Sequence, residues 1–440
     1  MRLTLKKLKV EVVPHSHKFT SDFDSVIFIV IWNSLGFFFI EFIMAYLIKQ
    51  VLGASAAQLG LFFSFITFGG LISSSFIGYL TDRFSKRILV MVGSFGRGAS
   101  YFALYISVIL HSLIGMYISA FLLGLGAYIF WNPLDTIISE KSSKYHRSSA
   151  FARRRFALGI GIVLGTIIGF SIFSFTSAYT PDNDFLIYSA IPIFGIANFY
   201  AGIQFSRKVD EHAKFIYPEE EIIQDGQSNH LLEIDNKHSQ NGPKTLNKVY
   251  IFGIFLLFFG LFLTSINTGL YRPFIQPYIL ENVDNRVQVV SWYYLPTSVI
   301  GTLIAPKLGS LADKINPYLG ISIASICGGI ITFLIIYTQN LLIFAVLLIF
   351  DNTIMLTASF IFINFLSRVS IKHRGKIFGL VTTFESIGMI IGPFLGGIVW
   401  DTINPQAPFL ISIIVEWSLI FFFILGIYFI KSHLVESIEK

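Results

Sequence analysis

Long apolar runs alternate with short polar stretches along almost the whole chain. A membrane-spanning helix needs about 20 predominantly apolar residues, and twelve runs reach that length. The pattern therefore predicts an all-α integral membrane protein with twelve transmembrane helices in two six-helix bundles. We number the runs as segments 1 to 12, with predicted limits 24–48, 56–80, 88–110, 113–138, 155–176, 185–206, 249–277, 287–309, 318–338, 341–366, 377–400 and 407–430.

One long polar stretch separates segments 6 and 7. Residues 207–247 contain the acidic run Glu219–Glu221 and the turn sequence Asn241–Lys244. Such a composition is typical of a linker that forms no packed core. The sequence thus predicts five parts, which are an N-terminal tail (1–23), a first bundle (24–206), a central linker (207–247), a second bundle (248–431) and a C-terminal tail (432–440).

The composition agrees with a membrane protein, because 54% of the residues are hydrophobic and only 13% are charged. Soluble domains carry about 25% charged residues. The net charge of +6 would suggest nucleic acid in a soluble protein, but here the basic residues flank apolar segments. We therefore expect lipid and no nucleic acid as a partner.

The positions of Lys and Arg predict the orientation. Of the 32 basic residues, only Lys49 and Arg286 fall in the loops on one side, and Arg97 and Arg272 fall inside segments. Cytoplasmic loops are the ones enriched in Lys and Arg. Both termini and the central linker are therefore predicted to be cytoplasmic. The short loops, and the lack of a targeting signal before segment 1, favour a multi-pass protein of a prokaryotic plasma membrane.

The chain contains an internal repeat. The charged turn Gly78–Arg87 (GYLTDRFSKR) returns 231 residues later as Gly309–Lys314 (GSLADK). His146–Phe151 returns 227 residues later as His373–Phe378, and at the same offset three glycines of segment 5 fall on three of segment 11. Glycines four residues apart form a flat face for close helix packing. These glycines are Gly161, Gly165 and Gly169, and Gly388, Gly392 and Gly396.

These motifs resemble those of the major facilitator superfamily. Gly78–Arg87 is similar to the family's signature between helices 2 and 3, Gly309–Lys314 to its weaker copy between helices 8 and 9, and His373–Gly397 to its loop 10–11 and helix 11. The resemblance implies a monomeric secondary transporter that moves a small organic solute by alternating access, with proton coupling and without a cofactor. It also implies that segments 1, 4, 7 and 10 line a central cavity.

The resemblance further implies a cytoplasmic gate. In the family, the acidic residue of the signature turn contacts the opposite bundle and holds the cytoplasmic side closed. The turn residues that match in this chain, together with the basic residue before segment 11, are Gly78, Asp82, Arg83, Gly309, Asp313, Lys314 and Arg374.

Charges inside the membrane are the best sequence indicators of a transport site, because each costs about 2.5–3.5 kcal/mol on insertion scales. Asp351 and Asn352 in segment 10 are the first candidates for proton or substrate binding, although a structural pairing would also explain them. Glu41 in segment 1 is the second, unless it reaches the solvated interface. Asn33 and Trp32 lie below it in the same segment.

For the remaining candidates, a structural role is an alternative to a place in the cavity. Tyr271 and Arg272 in segment 7 either bind an anionic group or anchor the helix at the interface. Arg97 in segment 3 either faces the cavity or pairs with Glu41 or Asp135. Further cavity candidates are Trp131, Asn132 and Glu385. Structural roles are expected for two other acids. Asp135 is expected to pair with Arg153, Arg154 or Arg155, and Glu416 is expected to point inward and be paired.

No catalytic or metal site is predicted, since the chain contains neither a GxxxxGK[ST] phosphate loop nor an HExxH zinc motif. The direction of transport stays open. Drug:proton antiporters of the family carry a Gly-Pro-x-x-Gly-Gly pattern in helix 5, whereas segment 5 lacks that proline. Export of a drug or metabolite is the first hypothesis. Uptake of a metabolite is the second, and a sensor that does not transport is the third.

Overall fold

The computed structural model describes residues 18–143, 146–213, 248–312, 314–367 and 374–430, and helices fill all twelve predicted segments. Within those ranges, every segment except 6 and 8 is long and apolar enough to cross a membrane. Ten segments are single main helices, namely Ala56–Arg83, Lys86–Ile109, Leu113–Glu140, Arg147–Tyr179, Ala190–Lys208 (after a short helix, Asp184–Ile187), Val287–Ala312, Pro317–Tyr337, Leu341–Ser367, Arg374–Thr402 and Ala407–Ile430.

Small polar residues fix where several of these helices begin. Ser55 accepts a hydrogen bond from the Gln58 backbone N–H, and the Gln58 side chain accepts one from Ser55 in return, which forms a capping box at segment 2. Ser85 and Ser112 cap segments 3 and 4 in the same position. Such caps satisfy backbone donors that a helix start leaves unpaired.

Segments 1 and 7 are each interrupted. Segment 1 consists of Phe23–Ser34 and Phe37–Tyr46 and continues as a π-helical turn, Leu47–Val51. Segment 7 consists of Lys248–Tyr271, a 3₁₀ turn at Arg272–Phe274, and Ile275–Asn282. Interrupted helices in transporters mark places where backbone and side chains line a cavity.

The interruption in segment 1 depends on Gly36, which has a φ of +90°. A side chain there would also strike the Phe194 ring, since an added Cβ would lie 2.7 Å from its Cδ2 atom. Gly36→Ala is expected to destabilise the protein by roughly 2–4 kcal/mol, because left-handed strain and overpacking add. Thermal melting of the purified protein, followed by tryptophan fluorescence, measures this loss.

Two other glycines serve as controls that separate the effect of left-handed strain from the effect of overpacking. Gly53 has a φ of +60° but no atom within 4 Å of an added Cβ, and Gly96 has neither strain nor a close neighbour. We expect a small loss of stability for Gly53→Ala and no loss of stability for Gly96→Ala. If Gly36→Ala melted like Gly53→Ala, the packing against Phe194 would not matter.

The helices form two bundles that repeat the same packing scheme. In the first half, segments 1–5, 1–6, 3–6, 2–4 and 3–4 pack together, and the corresponding second-half pairs are 7–11, 7–12, 9–12, 8–10 and 9–10. The halves meet through segments 2 and 11 and through segments 5 and 8. This arrangement confirms the predicted duplication.

The repeated glycines are helix-packing positions, as the sequence predicts. Gly161 and Gly165 lie against the backbone of segment 1 at Ile31 and Leu35, and Gly388 and Gly392 lie against the backbone of segment 7. A Cβ at any of the four would overlap the neighbouring helix. These glycines therefore bring segments 5 and 11 close to the two interrupted segments.

The bundles have two opposite faces. The linker face contains Phe84–Ser85, Lys141–Ser143 and Val209–Ala213, and the far face contains Leu52–Ser55 and Ile403–Gln406. On the linker face, Lys141 is 1% exposed and its Nζ atom lies 2.6 Å from Asp22 Oδ2. Lys141 also donates to the carbonyl oxygens of Asp210 and Ala213, so it joins the chain before segment 1 to the chain after segment 6.

Candidate functional site

A cavity of about 610 Å³ lies between the two halves. Segments 1 and 5 form its first wall, and segments 7, 8 and 10 form its second wall. Most of its lining is aromatic or aliphatic, and its polar groups are few. The apolar lining residues are Phe37, Phe38, Ala152, Phe156, Leu158, Ile162, Ile275, Leu348, Met355, Leu356 and Phe360, together with the ring of Tyr294.

An ion pair joins the two walls. Glu41 of segment 1 and Arg272 of segment 7 are 3.6 Å apart between Oε1 and Nε. The two side chains are 40% and 36% exposed, so both remain accessible from the cavity. Arg272 Nη1 also lies 3.5 Å from the sulfur of Met355. The pair therefore connects the halves at the point where segment 7 is interrupted.

The second carboxylate of the cavity is Asp351. Tyr271 donates its hydroxyl to Asp351 Oδ2 at 3.3 Å, and among the described residues no Lys, Arg or His nitrogen lies within 4.0 Å of the carboxylate. Its neighbour Asn352 donates its amide to the Thr297 carbonyl of segment 8 at 3.2 Å. Asp351 thus accepts a hydrogen bond from Tyr271 but forms no ion pair within 4.0 Å in the described ranges, while Arg272 of the same cavity acts on it over a longer distance.

Aromatic contacts shape both ends of the cavity. Tyr294 of segment 8 stacks on Phe38 of segment 1 with ring centroids 5.3 Å apart, and it also contacts Phe42 at 5.5 Å. At the other end, the Arg155 guanidinium lies 5.5 Å from the centre of the Phe360 ring. Both contacts join the first half to the second.

Five of the predicted cavity residues line this cavity, namely Glu41, Tyr271, Arg272, Asp351 and Asn352. The others do not line it. Trp32 packs on Tyr200 with ring centroids 4.9 Å apart, while Asn132 and Glu385 are exposed outside the cavity. The remaining three, Asn33, Arg97 and Trp131, are described below.

The expected lining by segment 4 is wrong for this cavity, where segments 5 and 8 take part instead. The Arg154 guanidinium lies over the Trp131 ring of segment 4, 4.7 Å from its centre. The same ring stacks on Phe37 with ring centroids 6.3 Å apart. Arg154 Nε in turn lies 2.6 Å from Asp135 Oδ1, which confirms the pairing predicted for Asp135. These contacts turn Trp131 and Asp135 toward segments 1 and 5.

Arg97 lies behind the cavity wall and is fully buried. Its guanidinium donates to Asn33 Oδ1 and lies 4.4 Å from the centre of the Phe37 ring. It therefore contacts both helices of segment 1, one on each side of Gly36. The predicted pairing of Arg97 with Glu41 or Asp135 is wrong, because those acids pair with Arg272 and Arg154.

The far face is closed over the cavity. Asp401, at the end of segment 11, accepts hydrogen bonds from the backbone N–H groups of Ala56 and Ala57, each at 2.9 Å. It thereby caps the first turn of segment 2 across the interface between the halves, where an anion is favoured. Ser64 donates to the Ile390 carbonyl at 2.6 Å, and Gly60 lies against the backbone of Pro393.

Two more contacts close the far face. Gln288 of segment 8 donates to Ser177 of segment 5 at 3.2 Å. Gln50 donates to Glu281 at 3.1 Å, and these two residues are 231 residues apart, as are Glu41 and Arg272. Equivalent positions of the repeat therefore meet each other along the line between segments 1 and 7.

The predicted gate on the linker face makes no comparable contact. Asp82 and Arg83 are exposed, an added Cβ at Gly78 would meet no atom within 4 Å, and Arg83 lies over the ring of Tyr79 in its own helix. Lys314 is exposed as well. Asp313 and the side-chain environments of Gly309 and Arg374 lie outside the described residues. In the part of the chain that is described, the halves are joined mainly at the far face.

No group of three or more His, Cys, Asp or Glu side chains that could hold a metal ion gathers within the described ranges.

Comparisons with known proteins agree with this architecture. Multidrug resistance protein 2 of Bacillus subtilis (strain 168) is 22% identical over 376 residues, which are 82% of this chain and 84% of the relative. Multidrug resistance protein MdtG of Proteus mirabilis (strain HI4320) is 26% identical over 204 residues, which are 45% of this chain and 49% of the relative.

Solved structures share the fold at low identity. A bacterial homolog of the human lysosomal transporter Spinster, in an inward-facing and unoccupied conformation, has a TM-score of 0.64 at 13% identity, covering 93% of this chain and 95% of its own. A POT family transporter in complex with a thioalcohol-conjugated peptide has a TM-score of 0.65 at 13% identity, covering 92% and 96%.

A family model covers nearly the whole chain. The model described as Major Facilitator Superfamily matches residues 26–367 and 257–437, which include both halves and the cavity between them. With two repeated six-helix bundles and this match, the chain belongs to the major facilitator superfamily of membrane transporters.

Proposed function

We propose that this protein is a proton-coupled exporter of small amphipathic organic compounds that works by alternating access. The observation that carries the proposal is Asp351, a carboxylate that lines an aromatic cavity between the halves, accepts a hydrogen bond from Tyr271 and forms no ion pair within 4.0 Å with a described cation. Intramembrane acids in this setting serve as proton or substrate sites. The names of the multidrug resistance relatives support export.

The cavity suits an amphipathic cation. Its aromatic rings bury an apolar body and attract positive charge at their faces. Arg272 already balances the charge of Glu41. Ionised Asp351 supplies the negative charge that balances a bound cation. A proton bound by Asp351 removes that counter-charge, so proton and cation compete for one carboxylate. Competition of this kind couples inward proton movement to outward substrate movement.

We infer that the linker face is cytoplasmic, because the basic residues concentrate there. The tails (1–23 and 432–440) and the linker (207–247) then lie in the cytoplasm of a prokaryotic cell. The bundles at 24–206 and 248–431 rock against each other as two bodies within one monomer. The closed far face corresponds to a state in which the cavity is reached from the cytoplasm.

Two carboxylates, Asp401 and Asp82, would each stabilise one closed face, and they would do so in different states. In the state described, Asp401 caps segment 2 at the far face while Asp82 is exposed at the linker face. Segments 2 and 11 are antiparallel, so Asp82 lies at the level where segment 11 begins. When the far face opens, Asp82 and Arg83 would close the linker face against Lys314, Arg374 and the neighbouring turn.

The experiment is transport by the full-length protein in proteoliposomes. With ethidium as probe and an imposed pH gradient, we expect ethidium to move against its gradient while protons move the other way, followed by a trapped pH-sensitive dye. Liposomes without protein and liposomes without a gradient are the controls.

Each other outcome contradicts the proposal in a defined way. Movement of solute and protons in the same direction would indicate uptake instead of export. Ethidium movement that does not depend on the pH gradient would show that transport is not coupled to protons. Ethidium binding without any transport would favour the sensor hypothesis.

A further inference from the structure

Two arginines line the cavity among the described residues, and Arg155 is the one that the Glu41 ion pair does not use. Arg155 lies on segment 5, on a helix face whose lining residues recur at spacings of three or four, as one face of a helix requires. Its side chain is exposed, so a molecule in the cavity can reach the guanidinium. The lining residues of this face are Ala152, Arg155, Phe156, Gly159 and Ile162.

Arg155 differs from the two arginines that precede it in the sequence. Arg153 Nη1 lies 3.2 Å from Asp24 Oδ1. Arg154 Nε lies 2.6 Å from Asp135 Oδ1. Within the described ranges, no Asp or Glu oxygen lies within 4.0 Å of an Arg155 nitrogen. Two of the three consecutive arginines therefore have an acidic partner in the first half, and the third is turned to the cavity without one.

An aromatic ring of the second half positions Arg155. The guanidinium lies 5.5 Å from the centre of the Phe360 ring of segment 10. The face of a ring attracts the positive charge, but it does not take up the forked N–H groups, which match a carboxylate in geometry. The contact with Phe360 thus places Arg155 at this end of the cavity and leaves its donors available.

The cavity carries opposite charges at its two ends. Asp351 and Phe360 are nine residues apart in segment 10, so the level of Arg155 is about 14 Å from the level of Asp351 along that helix. Met355 and Leu356 line the cavity between the two levels. A negative end and a positive end are therefore separated by an apolar middle.

The charge balance of the empty cavity points to the missing partner. Four of the described lining residues are charged, and Glu41 and Arg272 form one ion pair. Asp351 and Arg155 form no ion pair within 4.0 Å in the described ranges. Charges in an apolar site are costly unless they are paired. A ligand with one charge of each sign would pair both of them.

We propose that Arg155 is the anion-binding subsite of the cavity, and that the exported compounds are amphipathic zwitterions whose cationic group binds Asp351 and whose carboxylate binds Arg155. The inference rests on the proposed function and narrows its substrate class. With about 3 Å taken by a hydrogen bond at each end, the two charges of the ligand lie roughly 8 Å apart. The cavity volume of about 610 Å³ is in the range of pockets for drug-sized ligands.

Two dyes that differ in one group test the inference. Rhodamine 110 has a free carboxylate on an aromatic cation, and rhodamine 123 is its methyl ester, which keeps the cation and loses the negative charge. Isothermal titration calorimetry on the purified full-length protein should show tighter binding of rhodamine 110. Arg155→Gln should weaken rhodamine 110 binding about tenfold or more, as for loss of a charge-assisted hydrogen bond. It should not weaken rhodamine 123 binding, because it removes a charge that repels cations.

Three further variants separate the subsite from general damage. Arg153→Gln removes the same charge one turn or less away but outside the cavity, so it should bind both dyes as the wild type does. Arg155→Lys keeps the positive charge and should keep part of the preference for rhodamine 110. Asp351→Asn should weaken both dyes, since both carry the cation.

The results distinguish the subsite from the proposed function. If Arg155→Gln changed the affinity for both dyes equally, or for neither, Arg155 would not bind the carboxylate. A wild type that does not bind rhodamine 110, or binds rhodamine 123 more tightly, would refute the zwitterion class. In either case, proton-coupled movement of ethidium in proteoliposomes would leave the proposed function standing. A wild type that moves no protons with ethidium would overturn both.

Discussion

Asp351→Asn is expected to abolish uphill transport while leaving the fold intact. The amide fills the same space and still accepts the Tyr271 hydroxyl, but it neither binds a proton nor carries a counter-charge. We expect gradient-driven ethidium movement below about a hundredth of the wild-type rate, as for loss of a proton-transferring group. Proteoliposome transport with simultaneous recording of internal pH measures both losses.

The controls separate the carboxylate from general damage. Asp182→Asn removes the same charge from an exposed far-face loop and should transport normally. Asp351→Glu keeps the acid but lengthens the side chain, so partial coupling should return. Full coupling in Asp351→Asn would mean that another acid, with Glu41 as the first candidate, binds the transported proton.

Gly60→Leu is expected to hold the far face open. In the state described, even a Cβ at position 60 would overlap the carbonyl of Pro393 across the interface between the halves. Overpacking of a close contact costs about 1–3 kcal/mol or more, and each 1.4 kcal/mol changes a population ratio tenfold. The far-closed state should therefore fall by roughly tenfold or more relative to the far-open state.

Pulsed electron spin resonance measures this change. Spin labels at Asn183→Cys and Asn404→Cys, in a Cys327→Ser background, report the distance between the halves at the far face, and Gly60→Leu should populate the longer distance. Gly96→Leu is the matched control, since an added Cβ there meets no atom within 4 Å. An unchanged distance distribution would show that segments 2 and 11 do not close the far face.

The sequence predicts the helices well because membrane spans are long and uniformly apolar. Predicted and observed segments agree closely, but segment 5 begins earlier, at Arg147. Basic residues interrupt the apolar run there without interrupting the helix. The break at Gly36 was not predicted, since a single glycine inside an apolar run is compatible with a continuous helix.

The sequence predicts the charged members of the site better than its apolar members. Glu41, Arg272 and Asp351 stand out because intramembrane charges are rare. Phe37 and Tyr294 were not found, because 47 Phe and 19 Tyr residues give no signal as to which helix face each one occupies. Arg97 shows the limit of the charge argument, since it lies behind the cavity wall and contacts Asn33 and Phe37, whereas the sequence offered either a place in the cavity or a pairing with Glu41 or Asp135.

Two features of the sequence relate to contacts between the halves. Glu41 and Arg272 stand 231 residues apart, which is the offset of the charged turns, so their equivalence by repeat was visible. Asp401 lies at the end of its own helix, where the dipole disfavours an acid. That mismatch is explained by the neighbouring start of segment 2, which only the three-dimensional packing reveals.

The meeting of equivalent positions at Glu41 and Arg272 has a consequence for how the two halves pair. Two copies of the first half, joined in the same way, would place glutamate against glutamate, and two copies of the second half would place arginine against arginine. Like charges at that distance repel. The pair that bridges the cavity therefore favours joining of unlike halves over self-association of either half.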